Sequence, residues 1–445
     1  MKIVLGEEQI EALDKIKEFL NSNKSAFSLT GSAGSGKTTV IGRIVDYLND
    51  KNIPFCLCAP THKAKTVIEH YTNRKAITLH SLLSLSPRVD IINLDFRELK
   101  FRTMGKSCEI PFGGVVICDE ASMINDDLFK LLLERCDEFK SKIIFVSDKC
   151  QLKPVNSENV SLVYSLKDNF NLTKIYRQSS ENAILPILQD LREHIIYKFD
   201  SCTGSEGSLF CEPNFASFFD LCLEGTKNTI NSKNVFNSKI LAYTNERVRN
   251  YNEFITKHIF GDPKYYYKGE VLVGCENLKY NNINYYNSMD YLILDNPVDS
   301  NVNIPEVGVF PSYTLNLRNN NESTHIKIIN VSDNTLEFIS SIIEEFRIRA
   351  IETSSPSKRS KLWNRYYNIL NSFCTPKDMF FDNRLIRKKS FDRGYAVTVH
   401  KSQGSTYDNV YIDMKNILSC SEKEVIRQLQ YVALSRAHNN VFLYQ

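Results

Sequence analysis

Gly31-Ser32-Ala33-Gly34-Ser35-Gly36-Lys37-Thr38 fits the pattern Gly-x4-Gly-Lys-Thr, and its flanks decide the fold. Residues 26–30 in front of it form a short apolar run of strand character. Behind it Val40, Ile41, Ile44, Val45 and Leu48 recur at helical spacing. Strand, glycine turn and helix in that order make an anion cradle. The glycines let backbone N–H groups turn inward, and the helix presents its positive end to the same anion. In such a cradle Lys37 reaches the β- and γ-phosphates and the Thr38 hydroxyl holds Mg2+, while Thr39 continues the loop into the helix. A glycine-rich turn before an ordinary helix is the bland alternative, and the strand in front argues against it. The stretch predicts binding of a nucleoside triphosphate with Mg2+.

Working outward, 445 residues allow two to four domains with ample core. An apolar fraction of 42% and a charged fraction of 24% are ordinary for a soluble globular chain. A formal charge of +3 is compatible with a nucleic-acid partner without arguing for one. The 12 cysteines are scattered, with Cys56 and Cys58 the nearest pair and no C-x-x-C motif for zinc, so they read as buried small residues of a reducing compartment. Residues 1–20 carry charges throughout and read as an amphipathic helix rather than a signal peptide. No run of about 18 apolar residues suggests a membrane span, and a cytoplasmic location is expected.

Strand-like runs between helical patterns fall into two blocks. The first holds residues 55–59, 115–118 and 143–146; the second holds 239–242, 395–399, 410–412 and 441–444. Such alternation predicts α/β architecture with parallel sheets, as two domains. Two stretches break the rhythm. Residues 84–108 read as a small hairpin insertion. Residues 262–389, rich in Tyr and Asn, read as a β-rich domain inserted into the second block, with strand-like runs 326–331 and 335–339 about a turn at Asp333-Asn334.

Further motifs carry chemistry. Val115-Val116-Ile117-Cys118-Asp119-Glu120 is an apolar strand ending in two acids. Asp119 is placed to order the Mg2+ shell beside the loop, and Glu120 to orient and polarise the attacking water. Gln151, after the strand at 143–146, is placed to sense a γ-phosphate. Arg177 in Tyr176-Arg177-Gln178 and Arg436 in Leu434-Ser435-Arg436-Ala437 are candidates for stabilising phosphoryl-transfer charge from an opposing surface. Thr, His and Ser residues recur after several strands on the phosphate side, where they suit a sugar-phosphate backbone held without sequence readout.

The ordered set of these motifs, with Ala59-Pro60-Thr61-His62-Lys63-Ala64-Lys65, Thr78-Leu79-His80-Ser81 and Thr398-Val399-His400-Lys401-Ser402-Gln403-Gly404, resembles the superfamily 1 helicase series, most closely its RecD-like group B branch. The resemblance runs from about Gln9 to Arg436 and is weakest over 262–389. It implies two RecA-like domains: 1–83 with 109–176, and 177–261 with 390–445. The hairpin 84–108 and an SH3-like insertion, 262–389, complete the chain. It also assigns roles. Gln9 reads adenine and the base stacks on Tyr176. Ser32, Ala33, Gly34, Ser35, Gly36 and Gly404 lie along the nucleotide. Arg177 and Arg436 reach the γ-phosphate. Single-stranded DNA meets Pro60, Thr61, His62, Thr78 and His80 in the first domain, and Thr244, Asn245, Thr398, His400 and Ser402 in the second. Phe96 or Phe101 of the hairpin is the wedge at the fork, unless it packs the hairpin onto its domain. Ser147 stands where a glycine is usual and Ser405 where an acid is common. The basic run 358–367 reads as a solvated helix with Trp363 and Tyr366 packed inward.

The resemblance leads to the expectation of an ATP-dependent DNA helicase moving 5′ to 3′ on single strands as a monomer. Its partners are expected to be single-stranded DNA, single-strand/duplex junctions and a single-strand-binding or replisome protein. The settings are replication or recombination, in the host cytoplasm if the chain is viral. Alternatives are a translocase that strips proteins from single strands and the motor subunit of a nuclease complex.

Overall fold

The computed structural model describes residues 5–88, 100–103, 108–153, 161–174, 182–232, 234–319 and 322–445. The first domain is built on six parallel strands in the order Ala76–Thr78, Phe55–Ala59, Val115–Cys118, Lys142–Ser147, Ala26–Gly31 and Asn169–Leu172. Every residue of Ala26–Gly31 and of Val115–Cys118 is buried, because helices cover both faces of the sheet. The helix Lys37–Asp50 lays Val40, Ile41, Ile44, Val45 and Leu48 on Leu29, Ile144 and Val146. Burial of each such side chain stabilises by roughly 1.5–3 kcal/mol, so the glycine loop between strand and helix is tied down at both ends.

The second domain repeats the plan with five parallel strands: Ala396–Thr398, Ser238–Ala242, Tyr407–Asp413, Ala437–Tyr444 and Ser208–Glu212. The chain is therefore α/β with two parallel-sheet domains. Between Ser238–Ala242 and Ala396–Thr398 it builds an antiparallel sheet of Val298–Ile304, Gly308–Asn319, Asp290–Ile293 and Val271–Gly274, with Glu322–Ile329 on Gly308–Asn319. Phe391–Arg393 adds the last strand beyond residue 389.

One expectation is corrected here. Residues 335–339 are not a strand, and Asp333-Asn334 is not a hairpin turn. They open the helix Asp333–Glu352, in which the Ser332 hydroxyl accepts the Thr335 N–H and Leu336, Ile339, Ile343, Phe346 and Ala350 are buried at helical spacing. The basic run lies in the next helix, Pro356–Leu370, with Tyr366 buried and Trp363 edge-on to it at 5.3 Å. In the hairpin insertion Leu85–Arg88 pairs antiparallel with Lys100–Thr103. Phe96 and the side chain of Phe101 lie outside the described residues. Among the described residues no helix is long and apolar enough to cross a membrane.

Candidate nucleotide cleft and nucleic-acid face

The phosphate loop leaves the fully buried strand Ala26–Gly31 and enters its helix through Gly34 and Gly36, both at φ +82°. That left-handed backbone favours glycine. A Cβ on Gly36 would also overlap the Gln9 side chain. Buried Gln9 grips the loop: its Nε2 donates to the Ser35 carbonyl at 3.2 Å, and its Oε1 accepts the Gly6 N–H at 3.0 Å. Lys37 Nζ donates to the carbonyls of Gly31 at 2.7 Å and Ser32 at 3.0 Å.

Asp119 follows the buried strand Val115–Cys118, and its Oδ1 accepts the Glu120 N–H at 2.9 Å. Burial raises its carboxyl to about 7, with the Glu120 charge adding and Lys37 opposing. A half-buried acid within reach of the Lys37 charge, with the Thr38 hydroxyl following that lysine in the helix, offers oxygen donors of the kind that suit Mg2+ held together with substrate phosphates. Glu120 sits at φ +52°, a strained conformation for a non-glycine residue that turns the chain sharply after the strand. Buried Gln151 accepts the Ser122 hydroxyl at 3.5 Å.

The second domain reaches this loop directly. Tyr431, buried on the helix Lys423–Leu434, donates its hydroxyl to Asp148 Oδ2 at 2.8 Å and accepts the Ala33 N–H at 2.8 Å. Asp148 Oδ1 takes the Cys150 N–H at 2.9 Å, so both of its oxygens are bonded. A cavity of about 680 Å3 lies between Ala33 and Gly34 on one side and Leu188, Gly207, Ser435 and His438 on the other. Arg436 is turned into its own domain, donating to the carbonyls of Val432 and Ser405, both at 3.1 Å, and to the Ser435 hydroxyl at 2.9 Å. Tyr176 and Arg177 lie outside the described residues. Arg192, which no motif singles out, donates from Nη2 to the Ser32 hydroxyl at 2.5 Å. Nothing in its local sequence distinguishes it from a surface arginine.

The candidate DNA residues cluster at the carboxyl ends of two neighbouring strands in each sheet. Thr61 caps the helix His62–Thr72, Thr78 caps Leu79–Leu82 and Thr244 caps Asn245–Ile259, each hydroxyl accepting a backbone N–H. Thr398 accepts the Lys401 N–H at 3.3 Å, and Ser402 donates to the Val399 carbonyl at 2.7 Å. Pro60 is half-buried just before the Thr61 cap. The capping hydroxyls of Thr61 and Thr244 still have their own protons, so these two positions combine helix N-termini with donors suited to phosphate, whereas the Ser402 proton is already given to the Val399 carbonyl. His62 is held down to about 4 by burial and then by the charges of Lys65 and His80; burial also lowers His80 and His400. Gly404, at φ +72°, brings the second domain onto Ala64, where a Cβ would lie 3.4 Å away.

Two further contacts on this face come from the insertion. Tyr286 stacks on His62 with ring centroids 3.7 Å apart. Asp290 pairs with Lys239 at 2.9 Å and with Lys63 at 3.7 Å; Lys63 also bonds the Tyr407 hydroxyl at 3.1 Å. Asn416 accepts the N–H groups of Tyr243 at 2.8 Å and Thr244 at 3.0 Å, setting the last of the three caps.

Two parallel-sheet domains, with a phosphate loop on one and side chains of the other closing on it, define a two-domain P-loop protein of the RecA-like kind. A family profile described as an AAA domain matches residues 4–200, and one described as a UvrD-like helicase C-terminal domain matches 393–444. The chain is 25% identical over 465 residues to the ATP-dependent DNA helicase dda of Enterobacteria phage T4, covering 98% of each chain. It is 27% identical over 504 residues to an uncharacterized protein of Acanthamoeba polyphaga mimivirus, covering 95% of this chain and 96% of that one. The Pif1 helicase of Candida albicans shares the fold at a TM-score of 0.50 and 17% identity, over 99% of this chain and 94% of that one. The C-terminal profile and the phage relative are both of helicases, and the likeness to the latter runs the length of the chain.

Proposed function

We propose that this chain is an ATP-dependent DNA helicase that moves 5′ to 3′ on single-stranded DNA. The observation that carries the reading is the Tyr431 hydroxyl, which joins the loop N–H of Ala33 to Asp148 from the opposite domain. The nucleotide cleft is thereby also the joint between the two DNA-side surfaces, so a change at the phosphates is felt by both. The likeness to dda supports the same reading.

Bound ATP lies against the glycine loop, with Lys37 on its β- and γ-phosphates. Thr38 and Asp119 would hold Mg2+, which would supply positive charge to neutralise the phosphates. Glu120 accepts a proton from the attacking water, Gln151 bonds the γ-phosphate, and Arg177 and Arg436 supply positive charge from the second domain. Arg436 leaves its carbonyl partners as the cleft closes. Gln9 and Tyr176 hold the base, and Gly404 adjoins the nucleotide. Thr61, Thr78, Thr244, Asn245, Thr398 and Ser402 bond the backbone of the strand, with His62, His80 and His400 alongside and Pro60 beneath. Alternating grip by the two sets converts each closure into a step. Monomeric action, viral origin and work at forks fit the likeness to the phage enzyme.

The test is unwinding of a short duplex bearing either a 5′ or a 3′ single-stranded tail, with Lys37→Ala as control. Unwinding of the 5′-tailed duplex alone is expected, lost in the variant. Unwinding from the 3′ tail would overturn the polarity. Strand-stimulated ATP hydrolysis without unwinding of either would replace the helicase with a translocase.

A further inference from the structure

Ser32 is held from two sides by cations. Lys37 Nζ bonds its carbonyl at 3.0 Å and Arg192 Nη2 its hydroxyl at 2.5 Å. Lys37 belongs to the loop; Arg192 comes from the second domain, just past the helix Ile184–Asp190. Among the described residues no ion pair with a carboxylate is found for either. The Arg192 Nε is buried and has no hydrogen-bond partner among them. Asp119 already answers the Lys37 charge, but the buried Arg192 donor costs free energy unless an acceptor lies with it. Arg192 is also held firmly. Arg427 donates to the carbonyls of Leu191, at 3.2 Å, and of Arg192, and is itself fixed by Glu424. Arg427 lies one turn before Tyr431 on the same helix, so one rigid element carries both contacts with the loop.

We propose that Arg192 is a ligand of the terminal phosphate of the bound nucleoside triphosphate, supplied across the cleft in addition to Arg177 and Arg436. Its planar fork suits an oxygen anion, with Nη2 on Ser32 and Nε left to donate. The inference rests on the ATPase reading above and deepens it: Arg192 makes closure of the second domain sensitive to the third phosphate.

The experiment compares the full chain with Arg192→Ala and Arg192→Lys. It measures strand-stimulated hydrolysis and equilibrium binding of a fluorescent diphosphate and of a non-hydrolysable fluorescent triphosphate analogue. Arg192→Ala is expected to lower kcat about 100-fold, as loss of one preorganised donor to a transition-state oxyanion does. It should weaken the triphosphate analogue about tenfold, the scale of one charge-assisted hydrogen bond, and leave diphosphate affinity unchanged. Arg192→Lys should recover part of the analogue affinity but not kcat, because charge returns without the fork. Equal loss of diphosphate and triphosphate affinity would overturn the proposal, since an arginine that only ties the domains together acts that way. Unchanged kcat and unchanged triphosphate affinity would overturn it as well. If Arg192→Ala fails to fold, the same two affinities in Arg192→Lys and Arg192→Gln decide. Absence of hydrolysis by the unaltered chain would sink the enzyme reading instead, and the binding measurements would still judge Arg192.

Discussion

The two parallel-sheet domains have like edges, where we propose that a strand of nucleic acid is held, and unlike faces across the cleft where we propose the nucleotide. In each, two neighbouring strands lead into threonines whose hydroxyls accept backbone N–H groups: Thr61 and Thr78 in the first, Thr244 and Thr398 in the second. Only the first has the glycine loop and the Asp119-Glu120 pair. The second answers with side chains that cross the gap, Tyr431 and Arg192. A stepping motor needs two similar grips and one switch between them, and the duplication follows that division.

The sharpest way to break the comparison is to remove chemistry held by the first domain alone. Glu120→Gln keeps the size of the side chain and takes away its basicity. The kcat for ATP should fall about 1,000-fold, within the range for loss of a general base, while triphosphate binding persists. Near-normal turnover would move the base elsewhere and leave the strained φ of Glu120 without a catalytic purpose.

The next largest effect is expected where the insertion joins the two domains. Asp290 lies between Lys239 of the second domain and Lys63 of the first, with side-chain exposures of 9%, 2% and 19%. Burial alone would pull Lys63 down, but Tyr407 and Asp290 more than offset it, and its pKa is raised. Asp290→Ala leaves two ammonium groups facing each other and should cost about 3–5 kcal/mol in a denaturant titration. A loss below about 1 kcal/mol would mean that the group behaves as a solvent-screened pair.

The capping threonines test the likeness itself. Thr61→Ala and Thr244→Ala should each destabilise by about 1 kcal/mol and weaken single-strand binding by similar factors, with serine restoring both. If one variant loses DNA affinity and its counterpart does not, the two grips are not equivalent.

Much of the cleft was legible in the sequence because the chemistry demands particular residues at consecutive positions. The octapeptide and the strand ending in Asp119-Glu120 are of this kind: Lys37 opens the helix after the loop, and Asp119 follows the buried strand Val115–Cys118. What was illegible is contact between distant parts of the chain. Arg192 lies 160 residues from Ser32, and Tyr431 lies 398 from Ala33. Arg436 was visible as a motif, but its bonds to Val432 and Ser405 were not. Residues 335–339 were misread because a short apolar run fits strand and helix equally; the Ser332 cap and the spacing through Ala350 decide for helix. Asp290 carried no signal, since an acid at the start of a strand has no special meaning until two lysines arrive beside it.

The smallest expected effect concerns the histidines, two in the first domain's grip and one in the second's. Burial lowers all three, and His62, held to about 4, offers a strand hydrogen bonds from an uncharged ring that is stacked on Tyr286. A depressed folded pKa means that the unfolded chain binds the proton more readily. The contribution of His62 to stability is therefore complete above its ordinary value of 6.5 and is lost as pH falls toward 4. His62 should accordingly add nothing to the salt dependence of single-strand binding at about pH 6 or about pH 8, across the range where an unperturbed histidine would charge, so that His62→Gln leaves both slopes unchanged. Steepening of the log–log slope at the lower pH by about 0.7 in the unaltered chain but not in His62→Gln would show that this ring takes up a proton against phosphate, and its contact would then be ionic where the buried geometry makes it neutral.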